Sequence, residues 1–275
     1  MVCMILDFSQ CFTERTPRVV SAAKLLRPAG RKKAGRFLAE GFNSVEAAVV
    51  TGVATDVFVT EAGAQRYGEV VQAAQNMGIY VHPVTEKAAK SLSDTVTSTG
   101  LYAVCRPALW EPKDALGKDP RLVAVPVETA EPGNAGTMIR VADAVGASAV
   151  TFLGDSVDPQ SPKAVRASAG SLFHVPVARE RSIDAGLDRL RAKGLTIIAT
   201  AADGEVDLDD AEELLARPSA WLFGNEAHGL GEDLLGRADV RVRIPIRGRA
   251  ESLNLATAAS ICLYQAAKHL YGHQG

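Results

Sequence analysis

The sequence predicts an α/β protein of two domains, the second built on a mainly parallel sheet. Three observations predict it. Stretches of helical spacing alternate with short apolar or β-branched runs along most of the chain. Some of these runs, Arg121-Leu122-Val123-Ala124-Val125-Pro126-Val127 above all, are almost unbroken in apolar character, as strands buried on both faces are. Glycine-bearing turns follow two of them, at Gly133-Asn134-Ala135-Gly136 and at Gly224-Asn225-Glu226-Ala227-His228-Gly229, and parallel sheets bind ligands at such strand ends.

The bulk properties narrow the function classes. The chain has 275 residues, 47% hydrophobic and 23% charged, enough for two domains with real cores. Its formal net charge is −2, so any nucleic-acid contact must come from a local patch. Cys3, Cys11, Cys105 and Cys262 are scattered, with no CxxC pair and no zinc-like spacing. They read as reduced thiols of a cytoplasmic protein, and no metal is expected. No apolar run is long enough to span a membrane. Residues 1–12 lack a basic n-region and read as a loose tail.

Residues 13–107 form the first expected domain. Arg15, Arg18, Lys24, Arg27, Arg31, Lys32, Lys33 and Arg36 face a single acid, Glu14. The reading is a short helix over 18–26, then a basic loop at Pro28, Gly30 and Arg31-Lys32-Lys33, suited to a phosphate backbone. The competing reading is a solvated charged face. Then follow a strand at 37–41, a helix over 43–50 capped by Asn43 or Ser44, and a strand at 56–60. A helix over 65–77 ends at Gly78, and a strand at 79–84 and a short helix at 87–92 come next. A polar loop, Asp94-Thr95-Val96-Thr97-Ser98-Thr99-Gly100, leads to a closing strand at 101–105.

Pro107 to Pro120 carries prolines and charges with little periodicity, so residues 108–119 read as the linker and 120–275 as the second domain. Its strand at 121–127 feeds the glycine turn and a helix over 141–145. Strands at 149–153, 175–177, 195–200 and 219–223 alternate with helices at 163–169 and 182–192, the latter ended by Gly194. A short strand near Ile244 runs into Ser252-Leu253-Asn254 and a long apolar helix over 256–270. Neither GxGxxG after the first strand nor GxxxxGK[ST] occurs, which ranks a Rossmann or P-loop nucleotide enzyme low.

Three segments then become recognisable together. Asn134-x-Gly136-x-x-x-Arg140, Gly224-Asn225-Glu226-x-x-Gly229-Leu230 and Ile244-Pro245-x-x-Gly248-x-x-x-Ser252-Leu253-Asn254 stand in the order and spacing of the three motifs of SpoU/TrmH-type RNA 2′-O-methyltransferases of the SPOUT superfamily. The block from Asp158 through Pro162-Lys163 and Val165-Arg166-Ala167-Ser168-Ala169-Gly170-Ser171-Leu172-Phe173 adds a fourth match. The front half resembles an L7Ae/L30e-like substrate-binding domain, and the resemblance extends to thiostrepton-resistance rRNA methyltransferases. Ala227 stands where relatives commonly have glycine.

The resemblance implies an α/β knot (a deep trefoil), a homodimer and S-adenosylmethionine held largely by backbone at Gly224, Ile244 and Leu253, with Leu222, Phe223, Thr200 and the turn after it as neighbours. It implies catalytic roles for Asn134, Arg140, Glu226, Ser252 and Asn254, with Arg140 central and Glu226 able to orient Arg140 or Asn225. Competing structural readings are a helix cap for Asn134 and an exposed helix-start carboxylate for Glu226. Arg15, Arg18, Arg27, Arg31, Lys32, Lys33 and Arg36 become candidate RNA contacts. The expected activity is 2′-O-ribose methylation of structured RNA, 23S ribosomal RNA first. The alternatives are a tRNA substrate, or an RNA-binding module whose site has decayed.

Overall fold

The computed structural model describes residues 6–272, so Cys3 and part of the expected tail lie outside the described residues. The chain divides into two compact units. One holds the residues up to Ala108 together with Pro159–His174, and the other holds Leu109–Asp158 and the chain from Val175 onward.

The first unit runs α1 (Pro17–Ala23), α2 (Pro28–Ala34), β1 (Phe37–Glu40), α3 (Phe42–Val50), β2 (Ala54–Val59), α4 (Glu61–Arg66), α5 (Gly68–Asn76), β3 (Tyr80–Pro83), α6 (Glu86–Ser91) and β4 (Leu101–Cys105). Its sheet has the order β1-β4-β2-β3, with β4 antiparallel to both neighbours and β2–β3 parallel. Val19, Leu25, Leu38, Phe58, Leu92 and Tyr102 form a core on one face.

Three local expectations are corrected here. The basic loop at 28–33 is the helix α2. Pro28 sits at its first position and Gly35 closes it in the left-handed region at φ 57°, so the proline and glycine that read as a loop bound a helix instead. Gly30 lets α2 touch the preceding turn, because a Cβ there would lie 1.9 Å from the Lys24 carbonyl oxygen. The cap of α3 is Gly41, with φ 84°, not Asn43 or Ser44; Ser44 is buried and donates to the Val165 carbonyl at 3.3 Å. The helix expected over 65–77 breaks at Tyr67 into α4 and α5.

In chain order α7 (Pro112–Ala115), β5 (Leu122–Pro126), α8 (Pro132–Ala144) and β6 (Ala149–Leu153) follow in the second unit, and α9 (Pro162–Ser168) in the first. Then come β7 (Val177–Glu180), α10 (Ile183–Ala192), β8 (Thr196–Thr200), β9 (Val206–Asp207), α11 (Glu212–Leu215), β10 (Ser219–Phe223), α12 (Glu232–Leu235), β11 (Val240–Arg243) and α13 (Leu255–Tyr271). The strand order is β7-β6-β5-β10-β8-β11-β9, and every pair is parallel. β5 and β10 lie inside this sheet and are buried throughout, which explains their unbroken apolar sequences.

The helix expected to begin at Val141 begins at Pro132, so Asn134 and Arg140 both lie on α8. Glu131 caps it, its side chain accepting from the Gly133 amide at 2.9 Å. The strand expected at 175–177 lies at β7, and the last strand ends at Arg243, before Ile244.

Candidate active site

The carboxyl ends of β5, β8 and β10 and the segment after β11 meet around one group of side chains. β10 ends at Phe223, and Gly224 turns the chain into a loop that folds back on itself. The Asn225 amide donates to the Gly229 carbonyl at 3.0 Å, and the Gly229 amide returns to the Asn225 carbonyl at 2.9 Å. A Cβ on Gly224 would sit 2.3 Å from the Gly229 carbonyl carbon, so this return requires glycine at 224.

Two side chains tie the turn to the end of β5. Asn225 donates through Nδ2 to the Glu128 carbonyl at 2.6 Å and accepts the Ala227 amide at 2.8 Å. Glu128 is held at φ 50°, an uncommon conformation for a residue with a side chain and one that recurs at functional turns. Glu226 accepts from the Ala130 amide at 3.0 Å, the Glu131 amide at 3.1 Å and Asn134 Nδ2 at 3.0 Å. Partial burial acts to raise its pKa, but the donors from Asn134, Ala130 and Glu131 outweigh it and hold the carboxyl below the ordinary glutamate range.

The chain of hydrogen bonds continues. Asn134, 8% exposed, accepts from Asn254 Nδ2 at 3.1 Å. Asn254 caps α13, accepting the Ala256 amide at 2.9 Å and the Thr257 amide at 3.3 Å. Glu226, Asn134 and Asn254 thus form one line from the turn after β10, across the start of α8, to the start of α13.

Beside this line lies a cavity of about 570 Å³. Gly224, Ala201, Ala202 and Ala258 give it thin walls, Ile244 and Leu253 give it apolar surface, and among the described residues its only charged lining side chains are Glu226 and Glu251. Three ion pairs tie β11 and the segment after it to residues 205–209: Arg241–Glu205 at 2.7 Å, Arg243–Asp207 at 2.5 Å and Arg247–Asp209 at 2.8 Å.

Residues 121–264 match the SpoU rRNA Methylase family, more than half of the chain, and residues 16–103 match the MRM3-like substrate binding domain. The chain belongs to the SpoU rRNA methylase family. Among relatives of this SpoU chain, the 23S rRNA (guanosine(2553)-2′-O)-methyltransferase RlmP of Bacillus subtilis is 30% identical over 96% of this chain and 99% of its own. The AdoMet-bound rRNA methyltransferase of Sinorhizobium meliloti superposes with a TM-score of 0.82 at 30% identity, covering 95% of this chain and 98% of that one. The SpoU methyltransferase AviRb of Streptomyces viridochromogenes, in complex with AdoMet, gives 0.81 at 27% identity over 92% and 98%.

The fold places the expected SpoU site residues unequally. Asn134, Glu226 and Asn254 are brought together, and Thr200, Gly224, Ile244, Ser252 and Leu253 line the cavity with them. Leu222 and Phe223 do not line it. Both are wholly buried; the Leu222 carbonyl accepts the Thr200 hydroxyl at 2.9 Å and the Phe223 carbonyl accepts the Val127 amide at 2.8 Å. Arg140 lies exposed on α8, and no described residue holds its guanidinium, so Glu226 orients Asn134 and the α8 entry rather than Arg140. Ala201 and Ala202, the turn after Thr200, line the cavity as expected; Glu128, Glu131 and Ala258 were not expected at the site. Glu131-Pro132 was the available signal, an acidic cap before a proline at the first helical position.

In the first unit Arg15, Arg18, Arg27, Lys32 and Lys33 are exposed and Arg36 is half-buried. Arg31 departs from the expected RNA contacts. It is 7% exposed and donates to the Leu25 carbonyl at 3.1 Å and the Leu26 carbonyl at 3.3 Å, closing the end of the preceding turn. Among the described residues no group of His, Cys, Asp and Glu is arranged to hold a metal ion, and no helix is long and apolar enough to cross a membrane.

Proposed function

We propose that this SpoU chain methylates the 2′-hydroxyl of a ribose in structured RNA, 23S ribosomal RNA first, with S-adenosylmethionine in the cavity beside Asn254. The observation that carries this is the hydrogen-bonded line Glu226–Asn134–Asn254 along a cavity whose only charged lining side chains, among the described residues, are acidic. A sulfonium with an amino-acid tail carries net positive charge, and this lining repels none of it. The volume suits a cofactor of that size, and Gly224, Ala201 and Ala258 let backbone approach closely. Thr200, Gly224, Ile244 and Leu253 would hold the group. When bound, it supplies an electrophilic methyl on sulfur.

The chain's own residues then prepare the hydroxyl. A ribose hydroxyl is a weak nucleophile until its proton is drawn away. Glu226 is poorly suited to take that proton, because three N–H donors already stabilise its ionised form. Arg140 has five donors and no acceptor site, so while charged it cannot act as a base. Its exposed, unclaimed guanidinium is suited to grip the phosphate beside the target ribose and fix the hydroxyl, leaving a phosphate oxygen as proton acceptor. Ser252, exposed on the cavity wall, adds a hydroxyl toward the ribose. The exposed basic side chains of α1 and α2 give the first unit a means of holding RNA phosphates. A homodimer and a cytoplasmic location complete the reading, the former supported by exposed Leu253 and Tyr264.

The test is transfer of tritiated methyl from S-adenosylmethionine to ribosomal RNA and, separately, to tRNA. Label in ribosomal RNA that protects one linkage from alkali is expected. Arg140→Lys keeps charge but loses the planar fork, and a fall of at least about 100-fold in turnover is expected from that loss of positioning. Near-normal turnover would remove the bidentate grip from the mechanism. Label confined to tRNA would overturn the substrate and keep the chemistry.

A further inference from the structure

A second cavity, of about 330 Å³, lies wholly in the first unit between α1 and the sheet. Leu25, Phe58 and Val104 give it an apolar floor, and Arg18, Arg36 and Asp56 stand at its edge. The polar edge is built rather than incidental. Arg18 donates to Asp56 Oδ1 at 2.8 Å, and its guanidinium lies over the Tyr80 ring, 5.6 Å from the centroid. His82 Nε2 meets the same carboxylate oxygen at 2.9 Å, and the His82 ring stacks with Phe12 at 5.1 Å and lies near-parallel to Tyr80 at 6.3 Å. Asp56 and His82 are largely buried, while Tyr80 is 66% exposed. The His82 hydrogen bond, with Arg18 adding to it against burial, holds the Asp56 carboxyl below the ordinary aspartate range, so the group is an acceptor at neutral pH.

We infer that this pocket takes one unstacked guanine of a single-stranded RNA segment. Sequence-specific RNA recognition targets splayed bases, received by stacking surfaces and by donors and acceptors matched to the base edge. Here a fixed arginine lies beside a fixed carboxylate at the mouth of an apolar slot, with an exposed tyrosine next to the arginine. Guanine presents one acceptor, O6, next to two donors, N1–H and N2–H, so the arginine donates to O6 and the carboxylate accepts from the N–H pair. Uracil offers one N–H; adenine sets a ring-nitrogen acceptor against the carboxylate with only a C–H beside it, and cytosine sets two acceptors there. Arg15, Arg27, Lys32 and Lys33, all exposed nearby in the sequence, supply cations for the flanking phosphates. The inference rests on the RNA reading above for its ligand class but assigns a subsite and a base that no part of that reading needs.

The full chain would be titrated, without S-adenosylmethionine, with labelled single-stranded uridine heptamers carrying a central guanosine, adenosine, cytidine or uridine. Binding of the guanosine heptamer about tenfold tighter than the others is expected. Ser21→Trp, at an exposed residue on the pocket wall, fills the slot without entering the core, and Tyr80→Ala removes the exposed ring. Each should cut the preference to less than about threefold. A central 6-thioguanosine should crosslink within α1 or at Tyr80. Equal affinity for all four heptamers, a preference that survives Ser21→Trp in a variant with unchanged melting, or a crosslink in the second unit would overturn the assignment. So would full competition by inorganic phosphate, which would make this an anion site only. Methyl transfer with no base preference would remove the pocket and leave the enzyme reading standing; a preference without methyl transfer would do the reverse.

Discussion

Glu226 is a carboxylate committed to structure. Its oxygens receive two backbone amides from the entry to α8 and the side-chain amide of Asn134, whose own oxygen then faces the Asn254 donor. Glutamine at 226 would keep one acceptor oxygen and set an NH2 against N–H groups. Glu226→Gln is therefore expected to lower stability by about 1 kcal/mol, a small figure because water screens this exposed group, and to reduce turnover more than cofactor affinity. The pH dependence has a definite sign. The folded pKa is depressed, so the stabilisation is fully present above the ordinary glutamate value of 4.5 and is lost as pH falls below it through the folded value. Thermal melts from pH 7 down to 3 should converge for wild type and Glu226→Gln at the acid end; a constant gap would contradict this. Asn134, Glu226 and Asn254 were legible in the sequence because three motifs in fixed order named them together. The inward turn of Arg31, and the loss of Leu222 and Phe223 to the sheet, were not. Each depends on which neighbour offers a carbonyl or a strand, and that is set by tertiary packing.

At the scale of elements, strand identities were legible where both faces are buried and helix beginnings were not. β5 and β10 read as strands because nothing polar interrupts them. α2 was read as a loop and the first turns of α8 as a glycine turn, although each helix opens on a proline, whose missing N–H costs nothing at the first helical position. The start of α13 joins an element to the site. Asn254 caps it through Oδ1 and holds Asn134 through Nδ2, so one residue carries a stability role and a positioning role on separate atoms. The two roles can be separated. Asn254→Ala loses both, with an expected cost of about 1 kcal/mol in unfolding free energy and a large fall in turnover. Asn254→Asp keeps the capping oxygen and loses the donor, so its denaturant midpoint should stay near wild type while turnover falls with that of the alanine variant. Equal activity of Asn254→Asp and wild type would mean that the Asn134 contact does not matter to the reaction.

At the scale of the whole molecule, the units are not consecutive pieces of sequence. Residues 159–174, which carry α9 and the fourth of the matching blocks, leave the second unit after Asp158 and are built into the first. There Phe173 stacks on Phe37 at 5.9 Å, Val165 accepts from Ser44, and Arg166 pairs with the buried Glu40 at 3.1 Å and with Asp94 at 2.6 Å. Burial dominates Glu40 and raises its pKa, which Arg166 and Ser93 oppose. A motif match alone could not reveal this, since the block is contiguous with methyltransferase sequence on both sides. A fragment from residue 109 to the end would contain the whole second unit but would carry 159–174 without Phe37, Ser44 or Glu40. It would expose Val165 and Leu172, which are buried in the intact chain, and leave Arg166 without its carboxylates. At roughly 1.5–3 kcal/mol for each large apolar side chain returned to water, such a fragment should bind hydrophobic dyes. Its melting should lie about 5–10 °C below that of the full chain. Restoring the lost contacts by adding the isolated segment 1–108 should recover part of that difference if the segment folds. A fragment that melts with the full chain and binds no dye would show that 159–174 folds with the second unit alone, and that the split in the sequence has no energetic weight.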